Sequence, residues 1–125
     1  MMGRVEVEIV ELPRDQGPGN FVAVEVQCEH VTELFGVPGE RRQRPVETAK
    51  KVARAAQRWI AADAPVGKHL ADQLLLPMAL GEGGAFRTVE PDPHTPTNLA
   101  VIQSFLDVDA SITEDAGAWK VAISR

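Results

Sequence analysis

The chain has 125 residues and a mass of 13.5 kDa, one domain's worth of polypeptide and enough to bury a hydrophobic core. It is 44% apolar and 25% charged with a net charge of -5, and it holds no apolar run near the roughly 20 residues of a membrane span. A helical membrane protein is thereby excluded, and with no charged-then-apolar leader the expected location is the cytoplasm. A single cysteine, Cys28, excludes an internal disulfide.

In chain order, alternation at Val5, Val7 and Ile9 predicts a strand over residues 4 to 10. The segment Arg14 to Asn20, with Gly17-Pro18-Gly19, reads as a turn-rich loop. Val22, Val24 and Val26 predict a strand over 20 to 28, with Cys28 in phase as a small core residue. A third strand is predicted over 31 to 37. His30 has no neighbour at metal-ligand spacing, so three scattered histidines make no zinc site.

A helix is predicted over 45 to 62, with Val46, Ala49, Val52, Ala53, Ala56, Trp59 and Ile60 marking its buried face. Residues 41 to 58 hold Arg41, Arg42, Arg44, Lys50, Lys51, Arg54 and Arg58 against Glu47 alone, a local charge of +6 that leaves -11 for the rest. Such a face is either a solvated helix side or a landing strip for RNA phosphates, and the two are compatible. A second helix over 69 to 80 is apolar almost all round, with Pro77 expected to kink or shorten it. Gly81-Glu82-Gly83-Gly84 follows a helix and precedes a strand, the reverse of a phosphate-cradling loop, and reads as a helix stop. A strand near 85 to 90, a helix over 96 to 106, and strands near 107 to 113 and 118 to 124 complete an α+β domain with helices packed on a sheet.

The chemistry-bearing stretch is Pro91-Asp92-Pro93-His94-Thr95-Pro96-Thr97-Asn98. Thr95 is a suitable N-cap, Pro96 suits the first helical position, and Leu99, Val101, Ile102, Phe105 and Leu106 supply the apolar face. His94 then stands at the positive end of a helix. Such an end attracts phosphate and disfavours a second positive charge, which suits a neutral, nucleophilic imidazole and phosphoryl or nucleotidyl chemistry.

Three blocks carry a family resemblance: Leu12-Pro13-Arg14-Asp15-Gln16-Gly17-Pro18-Gly19-Asn20; Val66-Gly67-Lys68-His69-Leu70-Ala71-Asp72-Gln73-Leu74-Leu75-Leu76-Pro77-Met78-Ala79-Leu80; and His94-Thr95-Pro96-Thr97-Asn98. In this order and spacing they resemble the C-terminal part of the RNA 3'-terminal phosphate cyclases, so the likeness covers nearly the whole chain.

The resemblance implies an ATP-dependent ligase reaction in three steps. A histidine takes AMP from ATP as a phosphoramidate, AMP passes to an RNA 3'-phosphate, and the neighbouring 2'-hydroxyl closes a 2',3'-cyclic end. His94 matches the family's nucleophile. His69, Leu70, Ala71, Asp72 and Gln73 match its nucleotide-binding segment, with His69 against adenine. ATP and a divalent metal, Mg or Mn, are the implied cofactors, and no metal ligand is identified.

The family's fold implies a βαβαββ module joined to strands of the preceding module. The chain corresponds to roughly the last third of a usual family member and lacks its N-terminal glycine-rich segments. It is therefore expected to be a single domain, residues 1 to 125, that needs the missing N-terminal portion or a partner chain, self-associates as a homo-oligomer and is inactive alone. The alternative is a non-catalytic RNA-binding or ribosome-assembly module, or an inactive fragment.

Overall fold

The computed structural model describes residues 4–125. The fold is α+β, with three helices and two antiparallel sheets. β1 (Phe21–Gln27) and β2 (Thr32–Pro38) form a hairpin in the register Val24 opposite Phe35, closed by the Cys28 N–H donating to the Val31 carbonyl at 2.9 Å. One face of the hairpin, carrying Val22, Val24, Val26, Glu33, Phe35 and Val37, is covered while its other face is exposed. The cover is α1 (Pro45–Ala62), which packs on both strands.

The second unit holds α2 (Lys68–Leu80), β3 (Gly84–Thr88), α3 (His94–Phe105), β4 (Asp109–Asp115) and β5 (Ala118–Ser124), with strand order β3-β5-β4. Leu75, Ala79, Leu99, Val108, Val121 and Ile123 form its buried core, with Met78, Phe86 and Ile112 packed around them. Gly83 and Gly84 turn the chain from α2 into β3 with positive φ (78° and 135°), a conformation that side chains with a Cβ rarely adopt. Asp72, Leu76 and Leu80 share a groove of about 440 Å³ with Asn98, Ile102 and Leu106. Equal steps along both helices thus meet, so α2 and α3 run side by side in the same direction with their N-termini at one end.

Several expectations are corrected. Residues 4 to 10 form no strand; every one is exposed, because an alternating segment needs a sheet edge to pair with and none takes it up among the described residues. Cys28 lies beyond the last residue of β1 and is exposed. α1 buries Thr48, Val52, Ala56 and Trp59, whereas Val46 and Ile60 are more than half exposed. A two-stranded hairpin covers only a narrow helical stripe, which accounts for the difference. α2 continues through Pro77 to Leu80 rather than ending there. On α3, Val101 and Phe105 face outward, and Leu99 with Ile102 and the following Leu106 makes the contact with the core. No described helix is long and apolar enough to cross a membrane.

Candidate functional site

The start of α3 differs from the sequence expectation in a way that defines the site. The pattern contains two overlapping start signals, Asp92-Pro93 and Thr95-Pro96, each a capping residue before a proline. The structure uses the first. Pro93 already has helical dihedrals (φ -54°, ψ -20°), the Asp92 carboxylate accepts the His94 N–H at 3.0 Å, and the Asp92 carbonyl accepts the Thr95 N–H at 2.9 Å. Asp92 is therefore the effective cap and Pro93 the first helical residue, within the usual ambiguity of helix ends. Thr95 is turned wholly into the interior, where its hydroxyl finds no partner.

His94 stands in the first turn with its side chain 84% exposed and its Nε2 3.8 Å from Asp92 Oδ1. The backbone N–H of His94 holds the Asp92 carboxyl below the usual aspartate range, with the charges of His94, Lys68 and His69 adding to the shift. His94 thus stands beside one carboxylate at the shared end of α2 and α3, with Lys68 and His69 near enough for their charges to act on it. The start of α3 is already satisfied by Asp92, which leaves the first turn of α2, with Lys68 and His69, as the part of this locality favourable to anions.

The predicted nucleotide segment divides by face. His69 and Gln73 are exposed on α2, Leu70 and Asp72 are half-buried, and Ala71 is fully buried in the packing of the helix. Asp72 Oδ1 accepts a hydrogen bond from Asn98 Nδ2 at 2.6 Å, a direct link between the two sequence blocks. Thr97 instead returns its hydroxyl to the Pro93 carbonyl at 3.1 Å. Among the described residues no group of three or more His, Cys, Asp or Glu side chains is arranged to hold a metal ion.

Residues 2–112 match the family model described as RNA 3'-terminal phosphate cyclase. The chain belongs to the RNA 3'-terminal phosphate cyclase family. The match runs from before the hairpin through α3 into β4, so this family assignment covers His69, Asp72 and His94 together.

Two residues of the site went unassigned in the sequence reading of this cyclase-family chain. Lys68 is the first residue of α2 and lines a cleft with His69. Glu33, from β2, is only 8% exposed and lies against Gly67, the N-cap of α2, where an added Cβ would collide with its carboxylate. Burial pushes the Glu33 carboxyl up, opposed by the Gly67 N–H that it accepts and by the nearby charge of His69. A signal for Glu33 was present: it occupies the inward phase shared with Phe35 and Val37, where an acid is out of place unless paired.

Capping by Asp92 has a testable pH dependence. Since its folded-state pKa is lowered, the stabilisation is complete above the unfolded-chain value and is lost as pH falls through the folded value. Protection of the His94 amide, taken as its exchange rate relative to the intrinsic rate at each pH, is expected to fall on acidification across that range. Asp92→Asn keeps a capping oxygen and should abolish the pH step, while Asp92→Ala should fray the first turn at every pH. An unchanged step in Asp92→Asn would assign it to another group.

Proposed function

We propose that this chain carries the AMP-accepting histidine and part of the ATP site of an RNA 3'-phosphate cyclase. The observation that supports it is the convergence of His94, Lys68 and His69 at the paired N-termini of α2 and α3. In this reading the triphosphate lies against the N–H groups of the first turn of α2 and Lys68, since at the start of α3 Asp92 takes the His94 and Thr95 N–H groups and Pro93 and Pro96 have none. His69 offers a flat ring to adenine, and Asp72 and Gln73 offer hydrogen bonds to the nucleoside. Asp72 is already bonded to Asn98, so it also fixes the spacing of the helices.

His94 attacks the α-phosphorus, its N–P bond forms and pyrophosphate leaves. The AMP is then transferred to the RNA 3'-phosphate, which restores His94. The vicinal 2'-hydroxyl attacks that activated phosphorus, AMP departs and the 2',3'-cyclic end remains. One difficult displacement is divided into easier ones by a nucleophile of the protein. The described residues by themselves do not fit a resident divalent ion; in this reading Mg or Mn is held with the ATP phosphates or by residues outside this chain.

Incubation of a 3'-phosphorylated RNA with ATP and Mg or Mn, with the upstream portion of a family member supplied, is expected to give a phosphatase-resistant end and one AMP per end. RNA that keeps a phosphatase-sensitive phosphate under those conditions would assign the chain to a non-catalytic role. Asp72→Ala and Gln73→Ala are each expected to weaken ATP use by about 1 to 3 kcal/mol, the cost of a lost hydrogen bond to a charged or buried partner. Adenylylation kinetics equal to the unsubstituted protein in both would leave the segment a purely packing role.

A further inference from the structure

The cations of α1 fall on one flank of the helix. Arg44, its N-cap, recurs at seven-residue steps as Lys51 and Arg58, and Arg54 stands between the last two. At about 1.5 Å per residue these four side chains form one stripe roughly 21 Å long, beside the line of Thr48, Val52, Ala56 and Trp59 that is buried against the hairpin. All four are exposed. The acids near the stripe are each engaged by a lysine, Glu47 by Lys50 at 3.2 Å and Glu40 by Lys51 at 3.9 Å. Arg44, Arg54 and Arg58 take part in no ion pair among the described residues. Arg41 and Arg42, both exposed, carry the same charge into the turn before the helix.

Like charges three and four residues apart on a helix repel, so a face that only has to stay wetted is better served by alternating signs. A stripe of one sign is stabilised when an anion covers it. The occupant must itself be extended, because one phosphate or carboxylate would meet one cation of the four. Outside residues 41 to 58 the chain carries a net charge of -11, which repels a polyanion from the other faces and confines it to this flank. Three of the four cations are arginines, whose planar fork matches phosphate oxygens two at a time. The polyanion of matching chemistry is RNA, on whose 3'-terminal phosphate the family to which the chain belongs is named to act. We propose that the Arg44, Lys51, Arg54 and Arg58 flank of α1 binds successive internal phosphates of an RNA strand. The proposal shares with the cyclase reading only that the partner is RNA, and it involves no step at His94.

Anisotropy of a fluorescein-labelled single-stranded RNA, titrated with the full chain over a range of salt, tests it. Arg44→Gln, Arg54→Gln and Arg58→Gln are each expected to reduce the slope of log affinity against log salt by about 0.7, the value for one phosphate contact on a single strand, and to weaken binding about fivefold near 0.1 M salt. The triple variant should lose about a hundredfold and about 2 in slope. Every position is exposed, so the urea midpoints should stay close to that of the unsubstituted chain. Lys120→Gln, at an exposed position of β5, should leave affinity within twofold. A triple variant that binds as the unsubstituted chain does, or an equal loss in Lys120→Gln, overturns the stripe. Competition by poly-glutamate as effective as that by unlabelled RNA would overturn RNA as the occupant in favour of an acidic protein. Probes ending in a 3'-hydroxyl and in a 3'-phosphate should bind alike, because the stripe meets internal phosphates; binding that requires the 3'-phosphate overturns it. Labelling of His94 by α-labelled ATP requires no RNA, so labelling that persists while binding ignores the three arginines refutes the stripe alone, and absence of labelling beside arginine-dependent binding refutes the nucleophile alone.

Discussion

Replacing His94 by alanine is expected to abolish transfer of AMP from α-labelled ATP to the protein. Without substitution, and with the upstream portion of a family member present, the adduct should be acid-labile and hydroxylamine-sensitive, as a phosphoramidate is. The reasons are separable. His94 is displayed to solvent at 84% side-chain exposure, so an incoming phosphorus can reach the ring. It belongs to a helix whose first turn is already capped by Asp92, so its backbone position does not depend on the imidazole. Loss of labelling in His94→Ala therefore reports chemistry and not collapse of the site, and the stability of that variant should be close to that of the unsubstituted chain. An adduct that maps to a lysine, Lys68 above all, or that survives in His94→Ala would overturn the assignment.

The largest effect on stability is expected at Leu75. Its side chain is fully buried between α2 and the β3-β5-β4 sheet, in the cluster with Ala79, Leu99, Val121 and Ile123. Leu75→Ala removes apolar contacts and leaves a cavity that rigid strands cannot close, at a cost of about 2–5 kcal/mol. Urea denaturation should show the midpoint falling sharply with little change in slope. Leu76→Ala, one residue on and 51% exposed in the groove between α2 and α3, should cost far less. Equal losses at both positions would mean that a partner covers the groove in solution and that Leu76 is part of a core as well.

The sequence by itself determined most of the elements and the type of domain. Val52, Ala56 and Trp59 at helical spacing placed α1 over the residues it occupies, and alternation around Val22, Val24 and Val26 placed β1, because periodicity is a local consequence of how side chains leave the backbone. His94 stood out at the start of a helix pattern, whereas His69 and Asp72 were singled out by their resemblance to the nucleotide-binding segment of the cyclase family. Tertiary structure decided what these local signals leave open. Two equivalent cap-and-proline signals preceded α3, and packing chose Asp92 because that start turns Thr95 and Leu99 inward. Residues 4 to 10 carry a strand pattern, yet a strand exists only where an edge accepts its hydrogen bonds, which no local pattern can supply. Glu33 is far in sequence from Gly67, and only the approach of β2 to the start of α2 brings its carboxylate to that helix end. The parallel course of α2 and α3 is likewise a matter of packing on a common sheet, and it is this that gathers Lys68, His69, Asp92 and His94 at one end of the molecule.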